Sequence, residues 1–169
     1  RKPSPGVEVS SSTSSPLSPY QPIAEPDRNT LGRRSTDAMV RGVDWRDDWS
    51  SGADVGRKAV AQNLADVAAM GARGIGLLAT LLADPATPVA WVEDFARGFG
   101  AAAAEAGVPV IGGDLGGAPE GVVMISVTAL GDLQGRASVL RSGARVGDVV
   151  AVAGTLGRSA AGLELLSSG

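Results

Sequence analysis

The sequence contains no cysteine and no histidine, and its aromatic residues are limited to three tryptophans, two phenylalanines and one tyrosine. Without cysteine, the chain offers no disulfide, thiolate nucleophile, iron–sulfur cluster or thiolate-bound zinc. Without histidine, it offers no Ser-His-Asp triad, imidazole base or imidazole metal ligand. Its chemistry is therefore restricted to carboxylates, hydroxyls, backbone amides, lysine and arginine. Among metals, such oxygen ligands favour Mg²⁺ over zinc or copper.

Positive charge and long apolar runs are also scarce. Lysine and arginine number 15 against 18 aspartates and glutamates, which gives a net charge of −3 in 169 residues. This balance argues against a nucleic-acid-binding surface, which needs clustered basic residues. Charged residues or glycines interrupt every apolar stretch before the ~20 residues that a membrane span requires, and no apolar signal-peptide region is visible. We therefore expect a cytoplasmic protein that binds neither nucleic acid nor membrane.

The first 34 residues differ in composition from the rest of the chain. They hold six of the ten prolines and a serine cluster between Ser10 and Ser15, and they show neither strand nor helix periodicity. Such a segment cannot bury enough apolar surface to offset the entropy of ordering it. The composition predicts a disordered tail over residues 1–34 that is unrelated to the fold after it.

From residue 35 onward, the pattern predicts strands alternating with helices. Predicted strands are 34–40, 76–82, 108–111, 122–130 and 149–153, and predicted helices are 54–72, 87–107 and 159–166. Thr87 is the expected N-cap of the second helix, with Pro88 at its first position and Gly107 at its end. This alternation predicts an α/β or α+β domain with a mixed sheet flanked by helices.

Three acidic positions indicate where the chemistry lies. Ser35–Asp37 (S-T-D) is near a strand end, Asp114 follows a strand in G-G-D, and Asp66 lies in an apolar helix. Asn63 and Asp66 are three residues apart, so we expect them on one helix face, where an aspartate is costly unless paired or metal-bound. Together these oxygen ligands suit Mg²⁺ and phosphate. For each position alone, an ordinary turn or capping role stays open.

The remaining glycine-rich and basic motifs are less specific. A P-loop is excluded because the G-x-x-x-x-G-K-[ST] pattern is absent. The G-T-L-G run at 154–157 lacks the full dinucleotide fingerprint and is interpreted as an ordinary strand-to-helix connection. Arg141, in R-S-G-A-R, is either a solvated surface charge or a phosphate contact.

Taken together and in order, five motifs resemble those of the thiamine-monophosphate kinase family. They are S-T-D-A-M-V-R-G-V (35–43), D-W-S (48–50), V-G-R-K-A-V-A-Q-N-L-A-D-V-A-A-M-G-A (55–72), I-G-G-D (111–114) and R-S-G-A-R-V-G-D (141–148). The resemblance extends over residues 35–169. The N-L-A-D helix is shared with the wider superfamily of ATP-binding synthetases that includes aminoimidazole ribonucleotide synthetase.

The resemblance implies the amino-terminal domain of that superfamily, a homodimer, and direct transfer of the ATP γ-phosphoryl group to thiamine phosphate. It implies several Mg²⁺ ions bound by Ser35, Thr36, Asp37, Asp66 and Asp114, and ATP contacts from Gly113, Asp114 and Arg141. It implies no catalytic acid–base residue. Asp44 stands where the family often carries a histidine that contacts thiamine phosphate, which makes Asp44 the candidate substrate-binding residue.

The chain also departs from the family pattern. The acidic G-D-D-A element that family members carry upstream of S-T-D is missing from residues 25–34. We expect a tail at 1–34, an ATP- and magnesium-binding domain at 35–148, and the start of a second domain at 149–169. The expected product is a partial, weakly active or inactive form of the kinase. Two alternatives are a non-catalytic nucleotide-binding or dimerisation fragment, and another ATP-dependent synthetase of the same superfamily.

Overall fold

The computed structural model describes residues 32–168, so residues 1–31 of the tail predicted over 1–34 lie outside the described part. The prediction is wrong for Arg33 and Arg34, which lie in a strand because they pair with Gly131 and Leu130. The strands are β1 (Arg33–Val40), β2 (Arg73–Ala83), β3 (Val110–Gly117) and β4 (Val123–Asp132). The helices are α1 (Gly52–Ala69), α2 (Val89–Glu105) and α3 (Arg158–Ser168), with a short 3₁₀ turn at Arg141–Gly143. No helix in this part of the chain combines the length and apolarity needed to cross a membrane.

The four strands form one mixed sheet in the order β1-β4-β2-β3. β4 runs antiparallel to both β1 and β2, whereas β2 and β3 are parallel and joined through α2. A parallel pair requires such a crossover connection. The predicted fold class, a mixed sheet flanked by helices, is confirmed.

The two faces of the sheet have different environments. Along β4, Val123, Ile125, Val127 and Ala129 are buried and alternate with half-buried side chains. α1 packs against β1, β2 and β4, and α2 packs beside α1. We call this side of the sheet the helix face. On the opposite side, the open face, Leu78 is 37% exposed.

α1 is defined at both ends by local chemistry. Ser51 is its N-cap: the Ser51 hydroxyl accepts from the Asp54 backbone amide, and the Asp54 carboxylate accepts from the Ser51 backbone amide, which together form a capping box. The pKa of Asp54 is lowered to about 2, first by the hydrogen bond from Ser51 and then by the one from Arg57. Gly71, with φ of +80°, follows the end of the helix and takes a conformation that other residues rarely adopt.

α1 and α2 touch backbone to backbone because glycine occupies their contact. A Cβ added at Gly56 would lie 2.5 Å from the carbonyl oxygen of Phe95 and 2.5 Å from the amide nitrogen of Phe99. A Cβ added at Gly98 would lie 2.6 Å from the carbonyl carbon of Ala53 and closer still to its oxygen and Cα. Any larger side chain at either position would separate the two helices.

The start of α2 corrects one prediction. The N-cap is Pro88, without a side-chain capping bond, and not Thr87. The Thr87 hydroxyl instead donates to Asp84 Oδ1 at 2.8 Å, so it is not available to the helix. The predicted end of α2 agrees with the structure, because Gly107 follows it with φ of +66°.

Asp84 is the one buried carboxylate among residues 32–168, with 5% of its surface exposed. Besides Thr87, it accepts hydrogen bonds from the Gly121 amide at 2.7 Å and from Arg41 Nη2 at 3.1 Å. These donors lower its pKa, the Thr87 hydroxyl most, then the Gly121 amide and Arg41. The network joins the ends of β1 and β2 to the turn before β4.

Two strand predictions also differ from the structure. Residues 149–153 form no strand, because no described segment pairs with them; Val149 and Val150 remain 89% and 93% exposed. The strand expected at 108–111 is shifted, and β3 continues through the G-G-D motif to Gly117. Gly113 allows this close parallel pairing, because a Cβ there would overlap the Ala79 carbonyl of β2.

Candidate functional site

Polar side chains of α1 and β1 meet along the outer edge of the helix face. Ser35 Oγ donates to Asp66 Oδ2 at 2.9 Å. One helical turn earlier, Gln62 Nε2 donates to Asp37 Oδ2 at 2.6 Å. The spacing matches because two strand residues rise ~6.8 Å and four helical residues rise ~6 Å. This polar seam brings Ser35, Asp37 and Asp66 together.

Asp66 is exposed in the last turn of α1, where the structure differs from the expectation of an acid on an apolar face. Asn63 takes the buried position and is 1% exposed. Three residues turn an α-helix by about 300°, so the side chains of Asn63 and Asp66 leave the helix in directions about 60° apart. The last turn of α1 contains no basic residue. A carboxylate at the negative end of the helix dipole is unfavourable unless a cation lies beside it.

A pocket of about 460 Å³ opens at this end of α1. Its lining combines two guanidinium groups, one carboxylate and one hydroxyl with apolar side chains: Arg34, Ser35, Asp66, Ala69, Met70, Val139, Leu140 and Arg141. The structure thus brings Arg141 to the same pocket as Ser35 and Asp66. We call it the Asp66 pocket.

Two contacts hold the far wall of the Asp66 pocket in place. The amide of Val139 donates to the carbonyl of Met70 at 3.1 Å, just beyond α1. Arg33 Nη2 of β1 donates to the hydroxyl of Ser138. The segment that carries Arg141 is therefore fixed to both elements of the polar seam. The two arginines that line the pocket, Arg34 and Arg141, suit a phosphate group, because one guanidinium can bind two phosphate oxygens at once.

Asp44 lies at the other end of the polar seam, in the loop between β1 and α1. Its Oδ2 accepts a hydrogen bond from the Val40 amide at 2.7 Å, and its backbone carbonyl accepts one from Lys58 Nζ at 2.6 Å. Asp44 therefore shapes its own loop. Lys58 lies two helical turns before Asp66, a rise of ~12 Å along the helix axis.

Asp44 and Lys58 line a second pocket of about 540 Å³, which also includes Trp45 and Trp49; we call it the Trp49 pocket. The guanidinium carbon of Arg46 sits 4.1 Å from the centre of the Trp49 ring. Arg46 is itself paired with Asp48 through two hydrogen bonds, which lower the pKa of that carboxyl. The exposed pair holds a cation on an aromatic face.

The structure does not bring Thr36, Gly113 and Asp114 to the Asp66 pocket. Thr36 lies on the open face, where Thr128 Oγ1 donates to it at 3.3 Å. Asp114 pairs with Thr80 on the same open face, and β3 is separated from β1 by two strands. Gly113 faces the helix side but is bounded by Ala79. With strands ~4.8 Å apart, β1 and β3 lie ~14 Å from each other.

The donor chemistry of the polar seam fits Mg²⁺ that also takes phosphate oxygens. Asp37, Asp66 and Ser35 supply oxygen ligands only. Within residues 32–168, no group of three or more acidic or imidazole or thiol side chains is close enough to hold a metal by itself. Mg²⁺ is commonly bound by one or two carboxylates together with substrate phosphates. The site therefore fits a metal that is also bound by a phosphate-bearing ligand.

Sequence reasoning missed Gln62, Lys58 and Arg34. Gln62 and Lys58 precede Asp66 by four and eight residues, so a polar stripe at four-residue spacing was visible in the α1 sequence. Arg34 stands directly before S-T-D, but a strand position alone does not show that its neighbour across the pocket is Arg141.

Comparisons with known proteins agree with this architecture. A family model described as AIR synthase related protein, N-terminal domain, matches residues 31–133. The chain is 50% identical over 135 residues to the thiamine-monophosphate kinase of Mycobacterium tuberculosis (strain CDC 1551 / Oshkosh), covering 80% of this chain and 40% of that protein. It therefore spans about two fifths of the length of this curated relative.

Solved structures show the same likeness. The crystal structure of thiamine monophosphate kinase from Aquifex aeolicus is 36% identical with a TM-score of 0.73, and the match covers 80% of this chain and 44% of that one. AaThiL complexed with AMPPCP and TMP is also 36% identical, with a TM-score of 0.74 over 80% of this chain and 42% of that one.

Proposed function

The chain belongs to the AIR synthase related protein family through its N-terminal domain, and from this premise we propose that it serves in the ATP-dependent phosphorylation of thiamine phosphate to thiamine diphosphate. The 50% identity to a thiamine-monophosphate kinase supports this activity over that of another synthetase in the family. The observation that carries the proposal is the Asp66 pocket, where Ser35, Asp66 and Arg141 meet.

In this proposal, the Asp66 pocket binds the phosphates of ATP together with Mg²⁺. Arg34 and Arg141 bind phosphate oxygens, while Asp66, Asp37 and Ser35 hold the cation. Bound Mg²⁺ supplies neutralisation of the phosphate charge. The likeness to AaThiL, whose solved structure is complexed with AMPPCP, supports a nucleotide as one ligand of this chain.

The Trp49 pocket is the proposed acceptor site. Asp44 contributes a carboxylate and Lys58 a cation beside aromatic surface, which suits a molecule that joins a cationic ring to a phosphate. The presence of TMP in the AaThiL complex supports thiamine phosphate as the second ligand. The ~12 Å between Lys58 and Asp66 along α1 leaves room for the two phosphates to approach each other.

The transfer is a direct in-line displacement. An oxygen of the acceptor phosphate forms a bond to the γ-phosphorus of ATP while the bond to the β–γ bridging oxygen breaks, and ADP leaves. The acceptor is already an anion, so no strong base is needed, and positioning with charge neutralisation supplies most of the catalysis. A chain without histidine is suited to this direct route.

Outside the Asp66 pocket, Thr36 and Asp114 remain proposed metal ligands, and Gly113 and Asp114 remain proposed ATP contacts. Thr36 and Asp114 share the open face, which also carries the partly exposed Leu78. We propose that a second copy of the chain covers this face in a cytoplasmic homodimer. Light scattering after size-exclusion chromatography should give the mass of two chains, and a monomer at micromolar concentration would contradict the proposal.

The experiment for the activity measures thiamine diphosphate formed from thiamine phosphate and Mg-ATP by the purified 169-residue chain. We expect slow turnover, because the purified chain spans only 40% of the length of its curated relative. Asp66→Asn should reduce this turnover further. Turnover of a different acceptor would favour another synthetase. Mg-ATP binding without any turnover would favour the non-catalytic nucleotide-binding form.

A further inference from the structure

We propose that Gln62 is a positioning residue that fixes the Asp37 carboxylate for the metal–nucleotide complex. The inference rests on the proposed function of the Asp66 pocket and adds to it a role for a residue that lies within the 55–72 motif but to which the resemblance assigns none. Gln62 is not among the residues that line the Asp66 pocket, and its one described side-chain hydrogen bond is the donation to Asp37 Oδ2 at 2.6 Å.

The hydrogen bonds of Asp37 leave its carboxylate in one orientation. Oδ2 accepts from Gln62, and Oδ1 accepts from the backbone amide of Ala38 at 2.8 Å. An ionised carboxylate has about four acceptor positions, so each oxygen keeps one free for a cation. Asp37 is exposed, and within residues 32–168 Gln62 is the one hydrogen-bond partner of its Oδ2 atom. Immobilising such a side chain on binding costs affinity.

The same hydrogen bond couples Asp37 to Asp66. Gln62 and Asp66 are one turn apart on α1, and their partners Asp37 and Ser35 are two residues apart on β1. The two parallel bonds therefore set the separation of the two carboxylates through rigid elements. Partners of this kind, outside the set of metal ligands, typically change metal affinity by 10–100-fold when removed.

An amide is the side chain suited to this role. Gln62 is half-buried and neutral, so it donates to Asp37 without adding a charge next to the two acids. A glutamate would repel them, and a lysine would compete with the cation.

The test compares calorimetric affinities for AMPPCP with and without Mn²⁺, which defines a metal-dependent gain for each variant. Gln62→Asn shortens the amide, and Gln62→Leu removes the donor at similar volume. We expect both to lower the gain by about tenfold or more, with unchanged affinity for metal-free AMPPCP. The matched control is Gln134→Asn, an exposed glutamine with φ of +53°, which asparagine tolerates; it should keep the gain.

The outcomes separate this inference from the proposed function. If the wild-type gain disappears in Asp66→Asn but persists in both Gln62 variants, the metal site stands and the role of Gln62 is overturned. Lower melting temperatures with an unchanged gain would show a purely structural hydrogen bond and would also overturn it. A wild-type chain with no metal-dependent gain would overturn the magnesium part of the proposed function and this inference together.

Discussion

Replacement of Gly98 by alanine should destabilise the domain, although alanine is the better helix former. The added Cβ would lie 2.6 Å from the carbonyl carbon of Ala53 and would overlap its oxygen and Cα, all backbone atoms that cannot rotate away. Overpacking of this kind costs about 3 kcal/mol at the upper end of its usual range. The gain in helix propensity returns about 1 kcal/mol, which leaves a net loss of about 2 kcal/mol.

Gly100 supplies the matched control in the same helix. A Cβ at Gly100 meets nothing within 4 Å, so Gly100→Ala should stabilise the domain by about 1 kcal/mol. Urea unfolding followed by circular dichroism measures both. With an m-value of about 2 kcal/mol/M, the midpoint should fall by about 1 M for Gly98→Ala and rise by about 0.5 M for Gly100→Ala. Midpoints that move in the same direction would refute the account of the α1–α2 contact.

Two further variants test the capping and buried-acid contacts. Ser51→Ala should lower the stability at neutral pH by about 1 kcal/mol, because it removes the N-cap of α1; an unchanged urea midpoint would contradict the capping box. Thr87→Val should raise the pKa of Asp84, whose lowered value depends most on the Thr87 hydroxyl. A lowered folded-state pKa stabilises the fold above the unfolded value of ~3.9 and loses that contribution as the pH falls through the folded one. The stability difference between wild type and Thr87→Val should therefore be constant above about pH 5 and shrink in acid, and a difference independent of pH down to acid unfolding would argue against it.

The elements of the fold were predictable where the signals are local. The α1 pattern ends at Gly71, and α2 ends before Gly107, because glycine takes the positive φ that follows each helix. The strand β4 was equally predictable from the sequence, since its buried residues occur at every second position. The predicted ends of these elements differ from the structure by only a few residues.

The failures came from pairing, which single segments do not encode. Residues 149–153 have strand composition but no described partner, so composition alone was misleading. The G-G-D motif has the composition of a loop, yet its glycines allow β3 to lie close to β2. Thr87 is a good N-cap residue, but the buried carboxylate of Asp84 takes its hydroxyl.

The candidate site shows the same division. The motifs identified Ser35, Asp66 and Arg141, and the structure places all three at one pocket. They did not identify Gln62, because its role depends on which β1 residue lies opposite that turn of α1. Nor could they show that Asp114 lies on the open face, since that depends on the register of β3 with β2.

The most direct test of the central claim is calorimetric binding of Mg-AMPPCP to the wild-type chain, Asp66→Asn and Glu105→Gln. Glu105 ends α2 as an exposed acid and is not among the residues that line the Asp66 pocket, so its variant removes a similar charge from the end of a different helix. We predict saturable binding to wild type and Glu105→Gln, and a loss of at least about tenfold, or 1.4 kcal/mol, in Asp66→Asn. Equal affinities for all three proteins, or no binding to the wild type, would contradict the assignment of a metal–nucleotide site to the Asp66 pocket.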